Sequence, residues 1–223
     1  MVKTVLVVAA HPDDEVLGCG GTIARHVAQG DAVYVIHMTD GVASRNGAGA
    51  QELNDRNRAQ ALALQILGVK SSRALDFPDN RMDSVALLDI VQPLETLISE
   101  IRPSTIYTHH RGDLNVDHRL TYQAVMTVCR PQPGTTVREI LTFEVMSSTE
   151  WAGPGQCTFE PNTFVDISEH WPKKLQALEA YSLEIRPSPH TRSIEHLDVL
   201  ARHRGACVGM ERAEGFELIR RLR

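Results

Sequence analysis

Cysteine is scarce and unpaired in this chain: Cys19, Cys129, Cys157 and Cys207 stand far apart, with no Cys-x-x-Cys. That spacing offers neither a zinc knuckle nor a dithiol couple, and predicts reduced thiols in a cytoplasmic protein. Basic charge is also short. Lys and Arg number 23 against 28 Asp and Glu, a net charge of −5, so nucleic acid is a poor default partner. The short basic cluster Arg220-Arg221 with Arg223 reads as a solvated tail. No apolar run approaches the roughly 18 residues of a membrane span. The run Val5 to Ala10 is strand-length and no small-residue cleavage site follows it, so no signal peptide is expected. Internal repeats and low-complexity tracts are absent as well.

What is present is an ordinary globular composition, 42% apolar and 23% charged over 223 residues. Such a length buries roughly 70% of its extended surface without disulfides. One domain over residues 1–223 is expected. Thr4 to Ala10 is a continuous apolar run, as in a strand covered on both faces. Gly18 to Gly30 reads as a helix, Ala32 to Met38 as a second strand, and Thr39 to Gln51 as a long polar loop. Glu52 to Leu67 is helical and stopped by Gly68. Arg73 to Phe77 is a third strand, and Asp83 starts a helix to Glu100 that Pro93 bends or splits. Thr105 to Thr108, a helix over Asp117 to Cys129, and Glu139 to Val145 follow. After an irregular stretch with Gly153, Pro154, Gly155 and Pro161 come helices over Ser168 to Ser182 and Ile194 to Met210. A last strand spans Phe216 to Ile219. This alternation predicts an α/β fold: a Rossmann-like, mostly parallel sheet with helices on both faces and an active site at the C-terminal strand ends.

Polar residues gather at those ends. The first strand runs into His11-Pro12-Asp13-Asp14-Glu15, and the second into Thr39-Asp40-Gly41. The fourth runs into His109-His110-Arg111-Gly112-Asp113-Leu114-Asn115-Val116-Asp117-His118. Imidazole with carboxylate suits Zn²⁺, and a catalytic zinc takes three protein ligands and keeps one position open. His11 and Asp14, three residues apart across a turn fixed by Pro12, are two candidates, and His118 is the best third. Asp13 is then free to act as general base on a water whose pKa the metal lowers toward about 7. The alternatives are structural: His-Pro-Asp-Asp as turn and helix cap, His109 and His110 as exposed loop residues, Asp117 as an N-cap. Two acid-and-histidine clusters at neighbouring strand ends favour a metal site. Gly18-Cys19-Gly20-Gly21 fails the Gly-x-Gly-x-x-Gly spacing, and the nearby carboxylates repel phosphate, so a dinucleotide site is not expected. Ser147-Ser148-Thr149 lacks Gly-x-Ser-x-Gly and makes no nucleophile elbow.

Ala10-His11-Pro12-Asp13-Asp14-Glu15 with Gly18-x-Gly20-Gly21, Thr39-Asp40-Gly41 and Asp113-x-Asn115-x-Asp117-His118-Arg119 resembles the LmbE/PIG-L family of zinc-dependent N-acetylsugar deacetylases. Leu75 to Asp79, Pro189 to Ser193, Arg204-Gly205 and Ala213-Glu214-x-Phe216 extend the resemblance over nearly the whole chain. It implies His11, Asp14 and His118 as ligands of one Zn²⁺ or another divalent transition metal. It implies Asp13 as the base, Asp117 behind the ligands and Arg56 on the substrate. The topology places Asp40, Arg45 and Tyr107 facing the same region. Two positions depart from the family. Asn115 stands where several relatives carry a histidine. It can donate to an oxyanion but cannot transfer a proton. The general acid is then Asp13 itself, or His109, His110 or His190, with His190 the first choice among the histidines because Pro187, Pro189 and Arg192 stiffen its turn. Ala59 stands where relatives often carry Glu, which alters how Arg56 is held.

The implied function is removal of an acetyl group from an N-acetylglucosamine-type sugar, a small-molecule substrate. Alternatives are another small amide or carbamoyl natural product, or a catalytically silent ligand-binding protein on the same scaffold. Aromatics are only 5%, which leaves little to stack a long glycan; Tyr107, Trp151 and Tyr181 are expected to serve packing rather than its rim. Relatives are often homo-oligomers, and no heptad pattern here bears on that.

Overall fold

The computed structural model describes residues 2–44 and 49–223. Seven strands form one sheet: β1 (Thr4–Ala9), β2 (Ala32–Thr39), β3 (Ser71–Phe77), β4 (Thr105–His109), β5 (Glu139–Phe143), β6 (Thr163–Asp166) and β7 (Ala213–Arg221). Their order is β3-β2-β1-β4-β5-β7-β6. The first five are mutually parallel, while β7 runs antiparallel to both β5 and β6. Six helices cover the sheet: α1 (Asp14–Ala28), α2 (Ala50–Leu67), α3 (Leu87–Ile101), α4 (Val116–Val128), α5 (Trp171–Ala180) and α6 (Ile194–Ala206).

The apolar run of β1 is explained by cover on both sides. Val5 and Val7 pack with Ile23, Leu64, Leu67, Phe143, Leu178 and Phe216 on one face. Leu6 and Val8 pack with Ile36, Met38, Ile90, Leu94, Ile106 and Val125 on the other. Each such side chain contributes about 1.5–3 kcal/mol on burial. The chain turns left and right of β1 to reach β2 and β4, so their C-terminal ends flank the point where strand order reverses. Open parallel sheets bind ligands there.

Four elements differ from expectation. Helix α1 begins at Asp14 rather than Gly18, because Asp14 and Glu15 suit the positive end of the helix dipole. It kinks at Cys19 (φ −147°, ψ 24°). Gly18 lies flat on the Phe143 ring, and a Cβ on Gly21 would stand 2.7 Å from Ile167. Pro93 does not split α3, which runs through it from Leu87 to Ile101. Asp83 lies in a short 3-10 turn ahead of it, not at its cap. The stretch read as irregular contains β6. Among the described residues no helix is long and apolar enough to cross a membrane.

Candidate active site

His11 follows β1 directly, Asp14 opens α1, and His118 sits in the first turn of α4 behind β4. The three side chains converge. His11 Nδ1 lies 3.2 Å from Asp14 Oδ2 and 3.3 Å from His118 Nε2, and His118 Nε2 lies 3.2 Å from Asp14 Oδ2. Donors 2.0–2.1 Å from a tetrahedral zinc stand roughly 3.3 Å apart, the edge length of this triangle. Asp14 Oδ1 is buried without a hydrogen-bond partner. The donor set and its spacing therefore fit a divalent transition metal.

The groups behind the triangle fix its orientation. Asp113 Oδ1 lies 3.1 Å from His118 Nδ1 and accepts the Ser148 hydroxyl, while its Oδ2 accepts the Thr149 hydroxyl at 2.6 Å. His11 Nε2 lies 3.2 Å from Asp117 and 3.3 Å from Asp79. Asp117 in turn accepts the amides of Asn80 and Met82 at 2.7 and 3.0 Å. Carboxylates behind ligating histidines set ring orientation and raise basicity. Burial pulls the His11 ring down, but Asp117, Asp14 and Asp79 outweigh it and lift it to about 10. His118, likewise buried, is lifted to about 9 by Asp14 and Asp113. Without a metal both rings hold two protons at neutral pH.

Asp13 stands beside the triangle as the N-cap of α1, with φ 115° and ψ −29°. That is left-handed backbone for a non-glycine residue, which costs about 1–3 kcal/mol and is typical of functional positions. Burial raises the Asp13 carboxyl above its ordinary 3.8, against the pull of Arg56 and Arg192. Arg192 Nη1 donates to Asp13 Oδ2 at 3.0 Å, and its Nε donates to the Met146 carbonyl. Arg56 is 3.8 Å from Asp13 and 2.9 Å from Glu184. Glu184 thus holds Arg56 from the far side, the task that Ala59 cannot perform.

These groups line a cavity of about 340 Å³, together with Gly41, Ser44, Asn80, Leu114, Asn115, Ser147, Ser148 and Trp151. Asn115 caps α4: its Oδ1 accepts from Asp117 N at 2.8 Å and its Nδ2 donates to Asn80 at 2.9 Å. The structure does not bring three expected residues into this cavity. The side chain of Tyr107, mid-strand in β4, points to a sheet face, where its hydroxyl meets His26 at 3.0 Å in a separate cavity. Asp40 caps its own turn, accepting the amides of Val42 and Ala43. His190 accepts the Arg192 amide and packs edge-on to Trp151, which itself lines the cavity. Arg45 lies outside the described residues. Of the other histidines, His109 accepts the Ala10 amide and stacks on His118 at 3.9 Å. Burial and the neighbouring His118 keep its ring neutral. His110 is buried toward Glu217. Glu184, Asp79, Asp113 and Arg192 carry much of the site and were not singled out in the sequence for these roles. Asp79, Asp113 and Arg192 stood inside quoted motifs without a role, and nothing in the sequence pointed to Glu184.

Comparison with known proteins decides the family. The PIG-L family model, described as GlcNAc-PI de-N-acetylase, matches residues 6–129, from β1 through α4. The chain belongs to the PIG-L family. The matched span carries His11, Asp13, Asp14, Arg56, Asn115, Asp117 and His118, whereas Glu184 and Arg192 lie beyond it. Among PIG-L relatives, the uncharacterized deacetylase YaiS of Escherichia coli (strain K12) is 34% identical over 185 residues, 80% of this chain and 90% of that one. Diacetylchitobiose deacetylase of Thermococcus kodakarensis is 28% identical over 234 residues, 98% of this chain and 84% of that one. The crystal structure of GalB, the 4-carboxy-2-hydroxymuconate hydratase of Pseudomonas putida KT2440, matches with a TM-score of 0.78 at 25% identity, over 98% of this chain and 96% of that one.

Proposed function

We propose that this PIG-L protein is a zinc-dependent N-deacetylase that hydrolyses the acetamide of an N-acetylated amino sugar to acetate and a free amine. The observation that carries the reading is Asp13: a buried carboxylate in strained backbone, beside the His11–Asp14–His118 triangle, inside a cavity of about 340 Å³. That volume is at the small end of ligand sites and suits a single ring with its acetamide. The relatives YaiS and diacetylchitobiose deacetylase support the reaction class.

A bound divalent metal supplies Lewis acidity to the acyl oxygen and acidifies water. Asp13 accepts a proton from the attacking water as its oxygen bonds to the acyl carbon. Its raised pKa lets it return that proton to the sugar nitrogen as the C–N bond breaks, so one residue serves as base and then acid. Arg192 holds the carboxylate in place between the two transfers. Asn115 has one amide N–H committed to Asn80 and a second left to donate to the acyl oxygen. Trp151 and Leu114, both exposed on the cavity lining, offer apolar surface to the sugar face.

GalB raises a second reading, hydration of an unsaturated acid. Carboxylate substrates call for free cations, and among the described residues both pocket arginines are already committed, Arg56 to Glu184 and Arg192 to Asp13. Acetate release from a panel of N-acetylglucosamine derivatives, with metal and after chelation, tests the proposal. Chelator-sensitive release supports it. No release by metal-loaded protein from any member overturns the sugar acetamide and turns attention to other amides.

A further inference from the structure

Glu15 is fully buried in the first turn of α1, next to a metal-ligand candidate, with its carboxylate bonded to other partners. Its carboxylate receives three donors. Oε2 accepts the Asp13 amide at 3.0 Å, and His37 Nε2 lies 3.0 Å from the same oxygen. Oε1 accepts the Tyr181 hydroxyl at 2.8 Å. His37 is itself fixed: Gln60 Nε2 donates to its Nδ1 at 3.0 Å, which leaves the ring proton on Nε2, facing Glu15. The Tyr181 ring lies under Arg56, with the guanidinium carbon 5.7 Å from its centroid.

We propose that Glu15 is a positioning residue that clamps the strained backbone of Asp13 and so sets the place of its carboxylate. The proposal rests on reading Asp13 as the base. A left-handed aspartate persists only where its surroundings over-determine it. The amide of Asp13 is the handle, and among the described residues the side chain that bonds to it is Glu15. The His37–Gln60 chain holds the clamp from β2 and α2, and Tyr181 holds it from the C-terminal cap of α5. Through Tyr181 the same carboxylate supports the surface beneath Arg56, which also faces Asp13. Clamping needs reach more than charge. Gln keeps the reach and, because the Tyr181 hydroxyl can rotate to accept, keeps an oxygen for the Asp13 amide. Asp keeps the charge but withdraws it by a methylene.

The test compares Glu15→Gln with Glu15→Asp by kcat, KM, metal content and hydrogen exchange at the Asp13 amide. Misplacing a catalytic group by an ångström costs about 10²-fold, so Glu15→Asp is expected to lower kcat by about that factor at unchanged KM and metal content. Glu15→Gln, with a neutral acceptor in place of a charge-assisted one, is expected to lose about tenfold. Asp13 exchange should quicken in the same order, Asp beyond Gln, while β1 amides stay protected. Native kcat and exchange in Glu15→Asp overturn the proposal. So does the reverse order, Gln worse than Asp, which would mark a role of charge. If Glu15→Asp does not fold, Glu15→Gln decides: unchanged exchange at Asp13 overturns the clamp. Exchange needs no substrate, so quickened exchange with no acetate released by the unsubstituted protein keeps the clamp and rejects the deacetylase reading.

Discussion

Asp13 bears two costs, a left-handed backbone and a buried charge. Both are tolerable only for a group whose position matters more than its stability. Asp13→Asn keeps the shape and removes the basicity, so turnover should fall by about 10²–10⁴-fold, the usual worth of a general base. Metal analysis should still find one ion per chain, because the triangle does not include this side chain. Native turnover in that variant would reassign the base. The acid limb of kcat/KM reports this carboxyl, which must be ionised to accept a proton. Burial raises it and Arg192 pulls it down. Arg192→Leu removes the pull, so the limb should move to higher pH, with activity lost first at the acid end. A limb that stays put would mean the Arg192 contact does not set the base. The ligands make a further prediction. His11 at about 10 and His118 at about 9 are both protonated at pH 7 without metal. Metal binding must then release about two protons, which calorimetry in buffers of different ionisation enthalpy reads directly.

At the scale of elements, α1 shows how the site is braced. Its backbone leaves helical geometry at Cys19. The Gly21 and Thr22 amides turn to Glu214 at 2.9 and 2.7 Å. The Leu17 carbonyl accepts instead from Lys174, which also pairs with Glu214 at 2.6 Å. Three backbone groups at the kink are satisfied by one buried ion pair from α5 and β7. Removing one partner of such a pair costs about 3–5 kcal/mol, so Glu214→Ala should lower the unfolding free energy by that amount in urea titration. A change below about 1 kcal/mol, the scale of an exposed pair, would show that water replaces the carboxylate. This pairing was not legible in sequence: Glu214 stood in a quoted motif, but nothing local ties it to Gly21, 193 positions away. The parallel strands were legible, because β1 is a continuous apolar run and β2 and β4 are short stretches rich in β-branched and aromatic residues between turn residues. Strand β6 was not. Thr163–Asp166 is four half-buried residues at the sheet edge, too short for a period and preceded by Gly and Pro that read as loop.

For the molecule as a whole, strand order decides what the sequence can reveal. His11, Asp14 and His118 were legible because each lies within a few residues of a strand end, and the reversal between β2 and β4 brings those ends together. Glu184 and Arg192 arrive from the region after α5, so their nearness to Asp13 depends on how that region folds over the sheet, which no local pattern encodes. Tyr107 was misplaced for the opposite reason: a mid-strand residue points to a face, not off the end. The same architecture separates metal from fold. The two hydrophobic layers lie on the sheet faces, and none of the three ligand candidates belongs to either. The metal-free protein should therefore keep its far-UV circular dichroism and unfold cooperatively. Saturating metal adds RT ln(1 + [L]/Kd), about 2.7 kcal/mol at 100 times Kd, so the melting temperature should climb with metal concentration rather than jump once. The metal-free form also has a pH signature. His11 and His118 bind protons more tightly folded than at the ordinary 6.5. Their contribution is complete below about 6.5 and is lost as pH rises through about 9 and 10. Chelated protein should thus lose stability over that alkaline range while metal-loaded protein, with both rings already deprotonated, does not. Loss of cooperative unfolding on chelation at pH 7 would instead make the metal part of the fold.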